Sequence, residues 1–81
     1  MTLLGEIKLF AGNYAPRGWE FCDGKQMDTW TNVGLYGIVA ATQGENIFND
    51  TFYLPDLREL EKQTDNCRFI ICTDGNYPNP K

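Results

Sequence analysis

The sequence predicts a small α+β domain, and three observations lead to that prediction. Short runs of strand-favouring residues alternate with turn residues near both ends of the chain. One stretch between them carries apolar residues at helical spacing. A hydrophobic fraction of 42% with 14% aromatic residues is sufficient for a compact core. At 81 residues we expect a single domain spanning residues 1–81, with a small mixed β-sheet packed against one main helix.

Four predicted strands are short apolar runs that end in turn residues. They cover residues 7–10, 19–22, 51–54 and 68–73. Pro55 ends the third strand because proline has no N–H for the ladder. The last strand is apolar without a break from Phe69 to Cys72, a pattern that predicts a strand covered on both faces.

The predicted helix lies near residues 29–42, where apolar and small residues form one stripe. Asp28 or Thr29 is the expected cap, since either side chain can accept a hydrogen bond from a free backbone N–H. The glycines of the stripe would let the helix backbone approach a sheet closely. The stripe consists of Trp30, Val33, Gly34, Gly37, Ile38 and Ala41.

The charge balance argues against two classes of partner. Eleven acidic and seven basic residues give a formal charge of −4, which repels nucleic acid phosphates and anionic membrane surfaces. No run approaches the roughly 20 apolar residues of a membrane span. The N-terminus also lacks the basic start and apolar segment of a secretory signal. We therefore expect a soluble chain that binds neither nucleic acid nor membrane.

Composition also argues against catalysis and metal binding. The chain has no histidine, which removes Ser-His-Asp and Cys-His systems and histidine metal ligands. Its three cysteines lack a C-x-x-C spacing and cannot complete a four-thiolate zinc site. Asp56, Glu59 and Glu61 are interpreted as solvated loop and cap residues. The sequence thus predicts a protein that is not an enzyme and has no cofactor or metal.

The three cysteines are expected to be free and mostly buried. An odd number argues against a disulfide framework. Cys67 and Cys72 would point to opposite faces of one strand, so they cannot easily bridge each other. A bond between Cys22 and Cys72 stays open if their strands are neighbours.

Two separated motifs resemble a known family. The first is GEIKLFAGNYAPRGWEFCDG at residues 5–24, and the second is TFYLPDLR at residues 51–58. Together they resemble the phage tail collar domain of tail fibres and of small "microcystin-dependent" proteins. The end of the chain, CRFIICTDGNYP at residues 67–78, looks like the closing strand of short family members. The resemblance implies a tail structural module, and collar-like domains in fibres are typically trimeric.

Six residues are candidate partner-binding positions. Arg17 and Arg58 lie within the shared motifs, where each guanidinium is expected either to clamp backbone and carboxylate groups or to contact a ligand. Tyr14, Phe48 and Tyr77 lie on predicted surface segments, and Ile47 with Phe48 forms an apolar knob. For the aromatic residues, packing back onto the domain is the alternative.

Two functional hypotheses follow. The first is a non-enzymatic phage tail-collar-like module for structure or adhesion, which acts through protein–protein contacts as a homo-oligomer, with a trimer favoured. The alternative is a small phage-encoded soluble inhibitor of a host defence protein or signalling ligand, since the chain lacks the long repeats of a fibre shaft. The expected partner is a tail or host protein, and the expected location is the virion or the cytoplasm of the bacterial host.

Overall fold

The fold is α+β, as predicted, and consists of two antiparallel sheets with one main helix. The computed structural model describes residues 2–43, 50–65 and 67–77. In chain order the elements are β1 (Ile7–Phe10), β2 (Trp19–Phe21), β3 (Gln26–Asp28), α1 (Val33–Gln43), β4 (Thr51–Tyr53), the single-turn α2 (Arg58–Glu61) and β5 (Arg68–Cys72).

The larger sheet has β5 at its centre, in the order β1-β5-β2. Ile70 of β5 lies between Lys8 of β1 and Phe21 of β2, and both pairings are antiparallel. Ile70 and Ile71, whose side chains alternate across the sheet, are 0% and 2% exposed. The prediction that this strand is covered on both faces is confirmed.

The third predicted strand belongs to a second sheet, which corrects the expectation of one sheet. β4 pairs with β3, and Met27 lies opposite Phe52. The sequence predicts no strand at residues 26–28, because they contain only one apolar residue, Met27. They form a strand because β4 supplies a hydrogen-bonding partner from a distant part of the chain.

Helix α1 begins at Val33, four residues later than predicted. The Asp28 carboxylate accepts a hydrogen bond from the Thr31 N–H (3.0 Å), so the expected cap closes a turn before the helix. The first i to i−4 bond runs from the Tyr36 N–H to the Asn32 carbonyl (2.8 Å). Trp30 therefore precedes the helix, where it is 64% exposed.

The buried face of α1 is not the predicted stripe. Leu35, Val39 and Ala40 are buried, whereas Val33 of the stripe is 53% exposed. Nearly every residue of the helix is apolar or small, so spacing alone could not select the correct face. The core cluster comprises Cys22, Leu35, Val39, Phe52, Leu54 and Ile71.

Gly5 forms a β-bulge at the start of β1. Its N–H donates to the Cys72 carbonyl (2.9 Å), while the Cys72 N–H donates to the Glu6 carbonyl (2.8 Å), so two residues oppose one. Gly5 has a φ of +85°, a conformation that residues with a side chain rarely adopt. The bulge fixes which groups of β1 face β5.

All three cysteines are free. Cys22 and Cys72 are buried, and Cys67 is half-buried. The question of a bond between Cys22 and Cys72 is thereby answered: the two thiols stay separate. No helix within residues 2–43, 50–65 and 67–77 has the length and apolar character to cross a membrane.

Candidate interaction surface

The two sequence motifs meet at a backbone junction. The Leu57 N–H donates to the Cys22 carbonyl (2.9 Å), and the Leu54 N–H donates to the Lys25 carbonyl (3.0 Å). Between these bonds, Asp23 and Asp56 form an isolated antiparallel bridge. The junction therefore joins the CDG segment of the first motif to the LPDL segment of the second.

Arg58 and Asp56 form a two-pronged ion pair on the outer side of this junction. Arg58 Nε lies 2.9 Å from Asp56 Oδ1, and Nη2 lies 2.7 Å from Oδ2. These hydrogen bonds lower the pKa of Asp56 to about 2. The Arg58 and Asp56 side chains are 62% and 47% exposed. At this position, the expected clamp of a carboxylate by a guanidinium is present.

Glu61 anchors α2 to the central strand. Its Oε2 accepts a hydrogen bond from the Phe69 N–H (2.9 Å), and Oε1 lies 3.7 Å from Arg68 Nε. The Glu61 side chain is only 12% exposed, so the interpretation of Glu61 as a solvated residue is wrong. Sequence reasoning missed it because its partner is a backbone group of β5.

Arg68 connects that anchor to the aromatic outer face of the sheet. Its guanidinium carbon lies 3.6 Å from the centroid of the Phe21 ring. A neighbouring pair places Lys8 Nζ 4.5 Å from the Trp19 ring centroid. Each contact brings a cation over an aromatic face, which is an attractive arrangement. These two pairs lie on the same face of the sheet as the buried Ile70.

An open cleft of about 680 Å³ lies beside α2. Three cations line it, but each is already close to a carboxylate: Arg58 to Asp56, Lys62 to Glu59, and Arg68 to Glu61. A small anion would have to compete with these pairs. The cleft also contains Cys67, and the remaining lining residues are Glu61 and Asp65.

The buried Cys22 thiol is not activated. Burial raises the pKa of Cys22 to about 11, and the negative charges of Glu61 and Asp23 add to the effect. The thiolate is the nucleophilic form, so this thiol stays protonated and inert near neutral pH. Across the described parts of the chain, no group of three or more Cys, Asp and Glu residues is arranged to hold a metal ion.

The predicted candidate residues are spread over the surface. Tyr14 is 73% exposed and Tyr77 is 60% exposed. Arg17 is exposed, and within the described ranges it makes no hydrogen bond or ion pair. The clamp expected at Arg17 is therefore not formed there. Ile47 and Phe48 lie outside the described residues.

Tyr77 lies along the glycine face of α1. A Cβ on Gly34 would stand 3.3 Å from Tyr77 Cδ2, and one on Gly37 would stand 3.7 Å from the Tyr77 hydroxyl. Leu4 approaches the same glycine even more closely, since a Cβ on Gly34 would meet its Cδ2 at 2.8 Å. The space beside these glycines is therefore filled by the side chains of Leu4 and Tyr77 rather than by a sheet.

Comparisons with known proteins identify the family. The family model described as "Phage Tail Collar Domain" matches residues 5–61. That segment contains β1 to β4, α1 and α2, and it includes both halves of the backbone junction. Neither the search of curated proteins nor that of solved structures gives a match. Because this match covers more than half of the chain's length, the chain belongs to the phage tail collar domain family.

Proposed function

We propose that this chain is a non-enzymatic structural and adhesion module of a phage tail, acting through protein–protein contacts in the virion. The observation that carries the proposal is the family match over residues 5–61. The junction supports it, because the motif residues there bind one another and leave no activated group. The absence of histidine and the protonated state of the Cys22 thiol support a non-catalytic role.

Exposed aromatic side chains supply the contact surface in this proposal. Tyr14, Trp30, Tyr53 and Tyr77 are 73%, 64%, 58% and 60% exposed. Aromatic side chains of this kind are enriched at binding hot spots, because they bury a large area at low cost in conformational entropy. Trp30 and Tyr53 were not among the candidates from the sequence, since both were placed in regular elements.

The proposed assembly includes contacts between copies of the chain. An 81-residue domain buries a smaller fraction of its surface than a larger domain does, and it often gains stability from a partner subunit. The family resemblance implies a trimer. A dimer is the competing stoichiometry, and its mass would differ from that of a trimer.

Deletion of the gene tests the proposal in the phage that encodes it. We expect particles with defective or non-adsorbing tails, restored by the wild-type chain supplied in trans. A matched pair of variants sharpens the test: Tyr14→Ser should restore assembly or adsorption poorly, whereas Leu60→Ser, at a comparably exposed apolar position on α2, should restore it fully.

The same deletion distinguishes the tail role from the inhibitor hypothesis. If tails assemble and adsorb normally but the phage yield falls only in hosts with an active defence system, the tail role is contradicted. No described contact or surface favours the inhibitor hypothesis specifically, so we propose only the tail role.

A further inference from the structure

The chain contains two Asp-Gly pairs, and the structure holds them differently. Asp23 and Gly24 come shortly after β2, whereas Asp74 and Gly75 come shortly after β5. An aspartate that precedes glycine is prone to spontaneous isomerisation, because its short side chain reaches the next backbone nitrogen and glycine places no Cβ in the way. The two pairs are therefore candidate sites for the same covalent modification.

Asp23 is fixed through both its carboxylate and its backbone. Its Oδ1 accepts a hydrogen bond from the Lys25 N–H (3.2 Å), and its Oδ2 lies 3.9 Å from Arg68 Nη2. The backbone of Asp23 forms the bridge with Asp56, and its side chain is only 28% exposed. Attack on this carboxyl group by the Gly24 nitrogen would have to break these contacts, so the fold protects the first pair.

Asp74 and Gly75 are both exposed and lack such contacts. Across the parts of the chain that the structure describes, neither residue makes a hydrogen bond, and Asp74 makes no ion pair. The preceding residue is bonded, since the Thr73 N–H donates to the Gly18 carbonyl (2.8 Å). The Asp74 carboxyl group is therefore free to approach the Gly75 nitrogen without the loss of a hydrogen bond.

We propose that Asp74 is a site of spontaneous isomerisation to isoaspartate in the folded protein. The Gly75 nitrogen attacks the side-chain carboxyl carbon of Asp74, the carboxyl hydroxyl leaves with the amide proton as one water, and a cyclic succinimide forms. Addition of one water to the main-chain carbonyl of this ring leaves that carbonyl as a free carboxylate and the chain linked through the side chain. One water is lost and one is gained, so the reaction needs no enzyme and leaves the mass unchanged.

Isoaspartate at this position would open the contact between the segment before β1 and the segment after β5. The Asn76 N–H donates to the Thr2 carbonyl (3.0 Å), and the Asn76 carbonyl accepts the Leu4 N–H (2.8 Å). Gly75 lies close against the same segment, since a Cβ on it would stand 2.7 Å from the Thr2 carbonyl oxygen. Isoaspartate adds one carbon to the main chain, so this closely packed corner must move and the two hydrogen bonds are lost.

Labelling of the purified chain tests the site. The probe is an isoaspartyl methyltransferase with a labelled methyl donor, which methylates the free main-chain carboxylate of isoaspartate. After incubation of the folded chain at neutral pH, trypsin places Asp74 in the peptide of residues 69–81 and Asp23 in the peptide of residues 18–25. We expect at least about tenfold more label in the first peptide, because reaction at Asp23 requires local unfolding. A sample without incubation corrects for isoaspartate formed during digestion.

Unfolding provides the control for the local sequence. In concentrated urea the contacts of Asp23 are lost, so the two peptides should gain label at similar rates. Asp74→Glu keeps the charge, but its longer side chain closes a ring slowly, and the label in residues 69–81 should disappear. The inference is independent of the tail role, which the gene deletion tests separately.

Hydrogen exchange tests the structural consequence. In the isomerised chain, exchange at the Leu4 and Asn76 amides should rise, whereas exchange at the Leu57 amide of the junction should stay the same. Equal labelling of the two peptides in the folded chain, or label in neither, would overturn the proposed site at Asp74. Unchanged exchange at Leu4 in labelled protein would overturn the proposed opening of the contact.

Discussion

Leu57 donates its backbone N–H to the carbonyl of Cys22 at 2.9 Å, and this bond links the two family motifs. Cys22 has just left β2, and Leu57 immediately precedes α2. Both side chains also contribute to the core, since Cys22 belongs to the buried cluster and Leu57 packs against it. The two motifs therefore stabilise one structural unit from opposite ends of the matched segment.

Leu57→Pro should destabilise the domain more than Leu57→Ala does. Proline removes the N–H and leaves the Cys22 carbonyl without its donor, and Leu57 has a φ of −108°, far from the value that proline imposes. We expect an extra loss of at least about 1–3 kcal/mol in the free energy of unfolding. Urea denaturation of the two variants checks this. Equal stabilities would mean that only the side chain of Leu57 matters.

Gly5→Ala should destabilise the protein by about 1–2 kcal/mol, because φ at Gly5 is +85°. The added Cβ would also stand 3.0 Å from Cγ2 of Ile38. Gly37→Ala is the matched control: it lies inside α1 at an ordinary φ, and its nearest contact would be at 3.7 Å. It should gain up to about 1 kcal/mol from helix propensity. Thermal melts that rank the two variants in the opposite order would contradict the bulge.

Glu61→Ala should cost about 1–3 kcal/mol, because the Phe69 N–H loses its acceptor. Glu59→Ala on the same helical turn is the control. Its side chain is 87% exposed, so we expect a change within about 0.5 kcal/mol. Denaturation curves give both values. If the two substitutions have the same effect, Glu61 is not the anchor of α2.

The Arg58–Asp56 pair should determine the titration of Asp56. The pKa of this carboxyl, about 2, is depressed by the hydrogen bonds from Arg58, so Arg58→Gln should raise it toward the ordinary aspartate range. A depressed carboxyl pKa stabilises the fold above the unfolded pKa, and this contribution is lost as pH falls toward 2. NMR titration of Asp56 measures the shift. Lys62→Gln, which removes the partner of Glu59, should leave the Asp56 pKa unchanged.

Local patterns predicted the larger sheet well. The strands at residues 7–10 and 68–72 combine strand-favouring residues with turn residues at their ends, and the unbroken apolar run of β5 indicated its central position. The strand β3 could not be predicted, because Gln26, Met27 and Asp28 form a strand only through pairing with β4. Tertiary pairing overrides local propensity in such short strands.

Prediction of the contact surface was less complete. Tyr14 and Tyr77 were placed correctly at the surface, since loop and tail segments are usually exposed. Glu61 was misjudged because its partner is an amide in a distant strand. The terminal position of β1 in the sheet was also not predicted, because the residues of a strand do not determine where that strand lies within its sheet.

The presence of the chain in assembled particles tests the central claim most directly. Particles purified by density gradient, washed in high salt and digested for peptide mass spectrometry should contain this chain at a fixed number of copies per tail. The host lysate after particle removal serves as the comparison. Chain recovered in that lysate but not in purified particles would contradict its role as a tail module.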